Sequence, residues 1–281
     1  MPRFRPRKSF RLVAHLRDGH HESIPGWKRE ELGLSRDLQE RWTALRHHCI
    51  DQSSHLRLAR LVRRITNADY GVRESALAEL ELATQLIRVG ARVTFLPESQ
   101  ARTADLECRL GTERLFVEIT AMVGSAERQR LPLRGLLKDE EAIDETDRGV
   151  ILIHRLLARI QQKAKQLAGY AAPVVLCISI PRADLRGEMS SRSEAIWLDL
   201  KSLAGAVTLR LTKLTAVSAV FIICWDVVPM PAKAGTRLAN VELIERNSQQ
   251  RGHPRVRMLI KNPAASAPLS DLQSEAFCQL L

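Results

Sequence analysis

The segment Ala104-Asp-Leu-Glu-Cys-Arg-Leu110, followed after Gly111-Thr112 by Leu115-Phe-Val-Glu-Ile-Thr120, decides how this chain is read. Each half alternates with a period of two, the pattern of a β-strand with distinct faces, and the glycine between them predicts a tight turn. Alternation sends Ala104, Leu106, Cys108 and Leu110 to one face and Asp105, Glu107 and Arg109 to the other. In the second strand Leu115, Val117 and Ile119 oppose Phe116, Glu118 and Thr120. Asp105 and Glu118 are thus placed to converge on one side of the sheet. Facing carboxylates in a partly buried site repel, and a divalent cation removes that cost by taking their oxygens as ligands. The metal expected here is Mg2+ (or Mn2+). The competing reading leaves Asp105 and Glu107 as solvated charges on the open face of a hairpin.

Working outward, Ala76, Leu77, Leu80, Ala83, Leu86 and Ile87 form an apolar stripe from Glu74 to Gly90, which predicts a helix with a glycine stop. Arg92 to Leu96 is a strand candidate that makes the hairpin a three-stranded meander. After a charged stretch from Ser125 to Arg148, expected to be mobile, the pattern predicts a long helix from Val150 to Ala168. Pro173 to Ile180 is nearly continuous in apolar residues, as in a strand buried on both faces. Ser193 to Leu211 is expected as a helix, Val217 to Trp225 as a second buried strand, and Arg255 to Ile260 as a short final one. Upstream, helical periodicity from Ser35 to Ile65 predicts two helices broken near Asp51-Gln-Ser-Ser. The fold class expected is α/β, an α+β mixed sheet covered by helices. The division expected is a basic tail and helical region over 1–70 and the core, with C-terminal α/β elements, over 71–281.

Composition narrows the function classes. The longest apolar runs, such as Ala216 to Trp225, fall short of the roughly 18–20 residues that cross a bilayer, and the basic amino terminus is not followed by an apolar segment and cleavage site. A cytoplasmic protein without a membrane partner is expected. Five scattered cysteines without a CxxC pair argue against a disulfide framework or a zinc module, and Cys108, Cys177 and Cys224 read as core residues. The net charge of +11 favours a polyanionic partner. Residues 1–70 carry 15 Lys/Arg against 8 Asp/Glu, so most of the surplus lies in the front quarter.

These segments together resemble the PD-(D/E)xK nuclease superfamily, over about residues 74–180. The resemblance rests on Glu79-Leu-Glu-Leu-Ala-Thr-Gln-Leu-Ile-Arg-Val-Gly90, Arg92-Val-Thr-Phe-Leu-Pro97, Ala104-Asp105, Val117-Glu118-Ile-Thr120 and Gln162-Lys-Ala-Lys-Gln-Leu167. It implies a restriction-endonuclease-like core of helix, three-stranded meander, helix and strand. It also implies an acidic pair, Asp105 and Glu118, that binds the metal, with Glu79 added from the first helix. Glu79 competes with Glu81 for that role, and it is Glu79 that shares a side with Leu82, Ala83 and Leu86. Ala104 replaces the usual proline, and Thr120 stands where the catalytic lysine is usual. Some members resemble this chain in carrying that lysine on the second core helix, which here points to Lys163. Arg159, Lys163 and Gln166 fall on one helical face, and Arg159, Lys165 and Gln166 are the expected contacts to nucleic acid.

The implied activity is a metal-dependent endonuclease acting on nucleic acid, double-stranded DNA first, with a homodimer as the form suited to cutting both strands. The alternative is a catalytically inactive relative that binds nucleic acid or protein. A third class is a helical DNA-binding regulator over residues 35–66, where no turn glycine of the helix-turn-helix kind is found. Arg41, Arg46, Arg57, Arg60, Arg63 and Arg64 are either phosphate contacts or part of a helical cap on the core. His20, His21, His47, His48 and His55 lack ligand spacing and read as surface residues, and His154 as structural. Asp226 stands unpaired at a strand end. Aromatic residues are only 4% and scattered, which disfavours a single-strand stacking platform.

Overall fold

The structure is a computed structural model, and it describes residues 35–97, 103–122, 145–180, 196–225, 227–230, 238–248 and 253–281. The expectations for the basic tail, for His20 and His21, for residues 125–144 and for Asp226 lie outside the described residues.

Three helices come first: α1 (Arg36–His48), α2 (Gln52–Ile65) and α3 (Tyr70–Arg88). The break at Asp51 is a helix start, because its side chain accepts from the Ser54 backbone N–H at 2.8 Å. Asp69 caps α3 in the same way through Val72. Gly90, with φ +90°, turns the chain out of α3 in a conformation other residues rarely adopt.

Strands β1 (Arg92–Phe95), β2 (Leu106–Leu110) and β3 (Glu113–Ala121) form the expected antiparallel meander. Helix α4 (Glu145–Ala164) then leads to β4 (Val174–Ile180), which lies parallel to β3. Beyond them come β5 (Ile196–Leu198), α5 (Leu200–Leu211), β6 (Ala219–Cys224), β7 (Val227–Pro229), β8 (Val241–Glu245), β9 (Val256–Lys261) and α6 (Asp271–Gln279). The main sheet has seven strands in the order β1-β2-β3-β4-β6-β9-β8, and β5 and β7 pair separately. Only β3-β4 and β4-β6 are parallel in the main sheet. Every residue of β4 and of β6 is buried, as their unbroken apolar runs require.

Alternation places helices on both faces. Leu176, Ile178, Val220 and Ile222 join Leu152, Leu156 and Ile160 of α4 and Leu203, Val207 and Leu211 of α5 in one core. On the other face Phe221 meets Phe277 of α6, ring centroids 5.8 Å apart, and Arg257 reaches Glu81 of α3. Among the described residues no helix is long and apolar enough to cross a membrane.

Two helix expectations are corrected. The helix expected over Ser193–Leu211 is in its described part a strand, β5, followed by α5, because Asp199 caps the Lys201 and Ser202 N–H groups and starts the helix there. The helix expected over Val150–Ala168 runs from Glu145, taking in the last four residues of the stretch expected to be mobile, to Ala164, where Gln166 and Leu167 bond back three residues and tighten the last turn. Strands β7 and β8 and helix α6 were not expected from the pattern.

Gly149 lets α4 approach β5 closely, since a Cβ there would run into the Trp197 carbonyl. Gly149→Ala is expected to lower stability by roughly 1–3 kcal/mol in denaturant unfolding. An unchanged midpoint would mean that helix and strand do not pack this closely.

Candidate functional site

Asp105 lies at the head of β2, held between neighbours on both sides: its carbonyl accepts from Leu96 and its N–H donates to Val117. The Ile119 N–H donates to Asp105 Oδ2 at 2.8 Å, so the carboxylate is folded onto β3 beside Glu118. Tyr170 accepts from the Ala104 N–H at 2.6 Å and fixes the residue before it.

Glu79 belongs to the apolar stripe of α3, with Ala76, Leu80, Ala83 and Leu86, and is almost fully buried. Two arginines of α2 accompany it. Arg57 Nε donates to Glu79 Oε1 at 3.1 Å, and Arg64 Nη1 donates to Glu79 Oε2 at 2.9 Å. Arg57 also reaches Asp105, with Nη2 at 2.8 Å from Oδ1, and is itself only 7% exposed. Of the two competing readings of the arginines over Arg36–Arg64, Arg57 and Arg64 follow the helical cap. Neither was expected in the site. The signal lay in the stripe of α2, where Arg57 falls among Ser54, Leu58 and Leu61, all buried.

Glu118 comes from the middle of β3, opposite Leu176 in the parallel pair, and so points toward α4. Lys163, in the last turn of α4, donates from Nζ to Glu118 Oε1 at 2.6 Å. Thr120 is buried two residues further along the strand. The structure therefore brings Glu79, Asp105, Glu118 and Lys163 together, with Arg57 and Arg64 added.

The electrostatics follow from three carboxylates sharing one buried place. Burial pushes Glu79 up to about 7, and the Asp105 charge adds to that against the pull of Arg57 and Arg64. Burial likewise pushes Glu118 up to about 7, with Asp105 adding and Lys163 opposing. Asp105 is raised by burial too, opposed first by the Ile119 N–H and then by the Arg57 guanidinium, with Lys163 also acting on it.

Other expected residues stand apart from this cluster. Arg159 is half-buried on α4 and donates to Gln162 at 3.2 Å, while Lys165 is exposed and Gln166 half-buried, both past the end of the helix. The single helical face expected for Arg159, Lys163 and Gln166 is therefore incomplete. Glu107 is held by Arg109 and Arg114 at 3.0 Å each, and is neither a free solvated charge nor part of the cluster. His48 accepts from the Val93 N–H and His55 contacts the Cys49 carbonyl, so both are backbone braces and not free surface groups. His154, expected as structural, is exposed.

Among the described residues no group of three or more His, Cys, Asp and Glu forms a metal cage. Mg2+ seldom uses one, since it is commonly held by one or two carboxylates together with waters and substrate phosphates. The donor set fits that mode: Asp105 and Glu118 are hard oxygen ligands whose mutual repulsion a cation relieves. Arg57 and Lys163 are the groups a cation would compete with.

Comparison with protein families, curated proteins and solved structures finds no match for this chain. Removing one partner of a buried ion pair typically costs about 3–5 kcal/mol, and Arg57→Met is expected to fall in that range. Because Glu79 and Glu118 are raised from 4.5 to about 7, the native state holds more protons than the unfolded chain between those values. Their contribution to stability therefore grows as pH falls through that window and is lost as pH rises past about 7. Denaturant unfolding across pH 5–8 checks this: Glu79→Gln is expected to flatten the profile, and an unchanged slope would remove Glu79 from the account.

Proposed function

We propose that this protein is a metal-dependent nuclease that hydrolyses phosphodiester bonds of nucleic acid, DNA first, on a variant of the PD-(D/E)xK core. The observation that carries the reading is Lys163 Nζ at 2.6 Å from Glu118, beside Asp105. A lysine supplied by α4 stands against the β3 carboxylate, while Thr120 occupies the strand position usual for it. The order α3-β1-β2-β3-α4-β4, with the meander antiparallel and β4 parallel to β3, supports the same reading.

Asp105 and Glu118 would hold Mg2+ or Mn2+, which when bound lowers the pKa of a water and shields charge developing on phosphorus. Lys163 is fixed by Glu118 and keeps two further N–H donors to orient a water or a phosphate oxygen. Arg57 and Arg64 hold both oxygens of Glu79, and Arg57 ties it to Asp105, so two guanidiniums offset the third carboxylate. Exposed Lys165, with half-buried Arg159 and Gln166, would contact the phosphate backbone outside the cluster.

A second reading, the inactive binding module, is favoured by one observation. Each of the three carboxylates already has a cation against it, so the site is charge-balanced without a metal.

Two measurements separate these readings. Thermal unfolding with and without Mg2+ is expected to show stabilisation at pH 8 that Asp105→Asn abolishes. Cleavage of a mixed DNA and RNA panel with Mg2+, Mn2+ or chelator is expected to fall by about two orders of magnitude or more in Asp105→Asn and Lys163→Met, the scale of losing a general acid–base or electrostatic group. Binding of the panel without cutting, together with no effect of Mg2+ on unfolding, would establish the inactive module.

A further inference from the structure

A second polar site lies across α3 from the acidic cluster. Glu79 and Glu81 are two residues apart, so their side chains leave the helix about 200° from one another. Glu81 faces a pocket of about 270 Å³ between α1, α3, the end of β8, β9 and the end of α6. Its lining is basic: Arg41, Arg88, Arg246 and Arg257 with His253, against Glu81 as the one acid among the lining residues.

The arginines are incompletely used by the described residues. Arg88 is exposed and makes no hydrogen bond or ion pair with them, and Arg246 donates from Nη1 to the Pro254 carbonyl. Arg257, whose side chain is 11% exposed, donates to the Leu280 carbonyl and lies 3.8 Å from Glu81. Its Nε is a buried donor with no partner among the described residues, as is Arg41 Nε at the same pocket. Arg41 otherwise pairs with Asp37 across one turn of α1. Glu81 is spoken for by Gln85 at 2.9 Å.

Four guanidiniums around one depression repel, and buried donors without acceptors are costly. Burial and the charge of Arg246 both lower the pKa of Arg257, opposed by Glu81. An anion of more than one charge would resolve both problems, because guanidinium forks match phosphate oxygens in pairs. The volume falls just under the roughly 300–1,000 Å³ of pockets for drug-sized ligands, which favours a compact group.

We propose that this pocket is a binding site for a compact phosphate anion, a phosphate or diphosphate group, separate from the Glu79, Asp105, Glu118 and Lys163 cluster. Diphosphate held by Arg41, Arg88, Arg246 and Arg257 would pin α1 and α3 to β9 and the segment after β8.

Titration calorimetry of the full chain with inorganic phosphate, inorganic diphosphate and a nucleoside diphosphate at low ionic strength tests it. Diphosphate is expected to bind, more weakly as salt rises. Arg88→Ser combined with Arg246→Ser is expected to weaken binding by about tenfold or more, the scale of losing one charge-assisted hydrogen bond. Arg88→Ser alone, an exposed change, controls for folding, and both proteins are checked for an unaltered unfolding temperature without ligand. Asp105→Asn is expected to bind as the native protein does. A nucleoside diphosphate that binds more tightly than the inorganic ion would assign the phosphate to an organic carrier, and the reverse order would assign it to the free ion. The proposal is overturned if the native protein binds none of the three, if the double variant binds unchanged, or if Asp105→Asn loses binding equally.

Discussion

Arg57 is the residue on which the arrangement turns, because one nitrogen of its guanidinium holds Glu79 and another holds Asp105. An ionised carboxylate moved out of water costs several kcal/mol unless it is paired and hydrogen-bonded. This fold gathers three of them where α3, β2 and β3 meet. Had α2 carried an aliphatic residue at this position, Glu79 and Asp105 would face one another with only Arg64, the Ile119 N–H and Lys163 to offset them. Helix α2 is therefore a wall of the site. Its apolar stripe packs on α3 and β1, and a charged head inserted among those apolar side chains meets the two acids.

Much of the fold was legible because periodicity is a direct record of burial. The stripe of α3, the alternation of β2 and β3 and the unbroken apolar runs of β4 and β6 each have one conformation that hides their apolar atoms. Where the pattern was weak, the expectation failed. Three-residue strands such as β5 and β7 carry too few side chains to display a period, and β8 leaves Leu243 and Ile244 partly in solvent. Helix α6 carries a signal of another kind, since Ser270 and Gln273 form a reciprocal capping box.

The acidic cluster divides along a similar line. Asp105 and Glu118 were legible from strand alternation alone, because facing positions on adjacent strands follow from the pleat. Glu79 was named through the family resemblance, and its place beside Leu82, Ala83 and Leu86 on the helix chose it over Glu81. Lys163 could be named only through the family resemblance, since nothing local to α4 says which of its cations meets the sheet. Its contact with Glu118 depends on how α4 crosses back over β3, and that is set by packing 45 residues away in sequence. Charge alone leaves Arg57 between a phosphate contact and a helical cap, and only its neighbours in the helical repeat, Ser54, Leu58 and Leu61, all buried, decide for the cap.

The cysteines give the sheet a means of reporting on itself. Cys108, Cys177 and Cys224 lie one each in β2, β4 and β6, all fully buried, and burial raises each thiol far above its ordinary value, to about 12 for Cys224. The thiolate is the reactive form, so none of the three can be alkylated while its strand stays packed. Each reacts only when its own part of the sheet opens, at a rate set by the free energy of that opening. Timed labelling followed by peptide mass analysis would thus rank β2, β4 and β6 by local stability, with no residue of the protein changed.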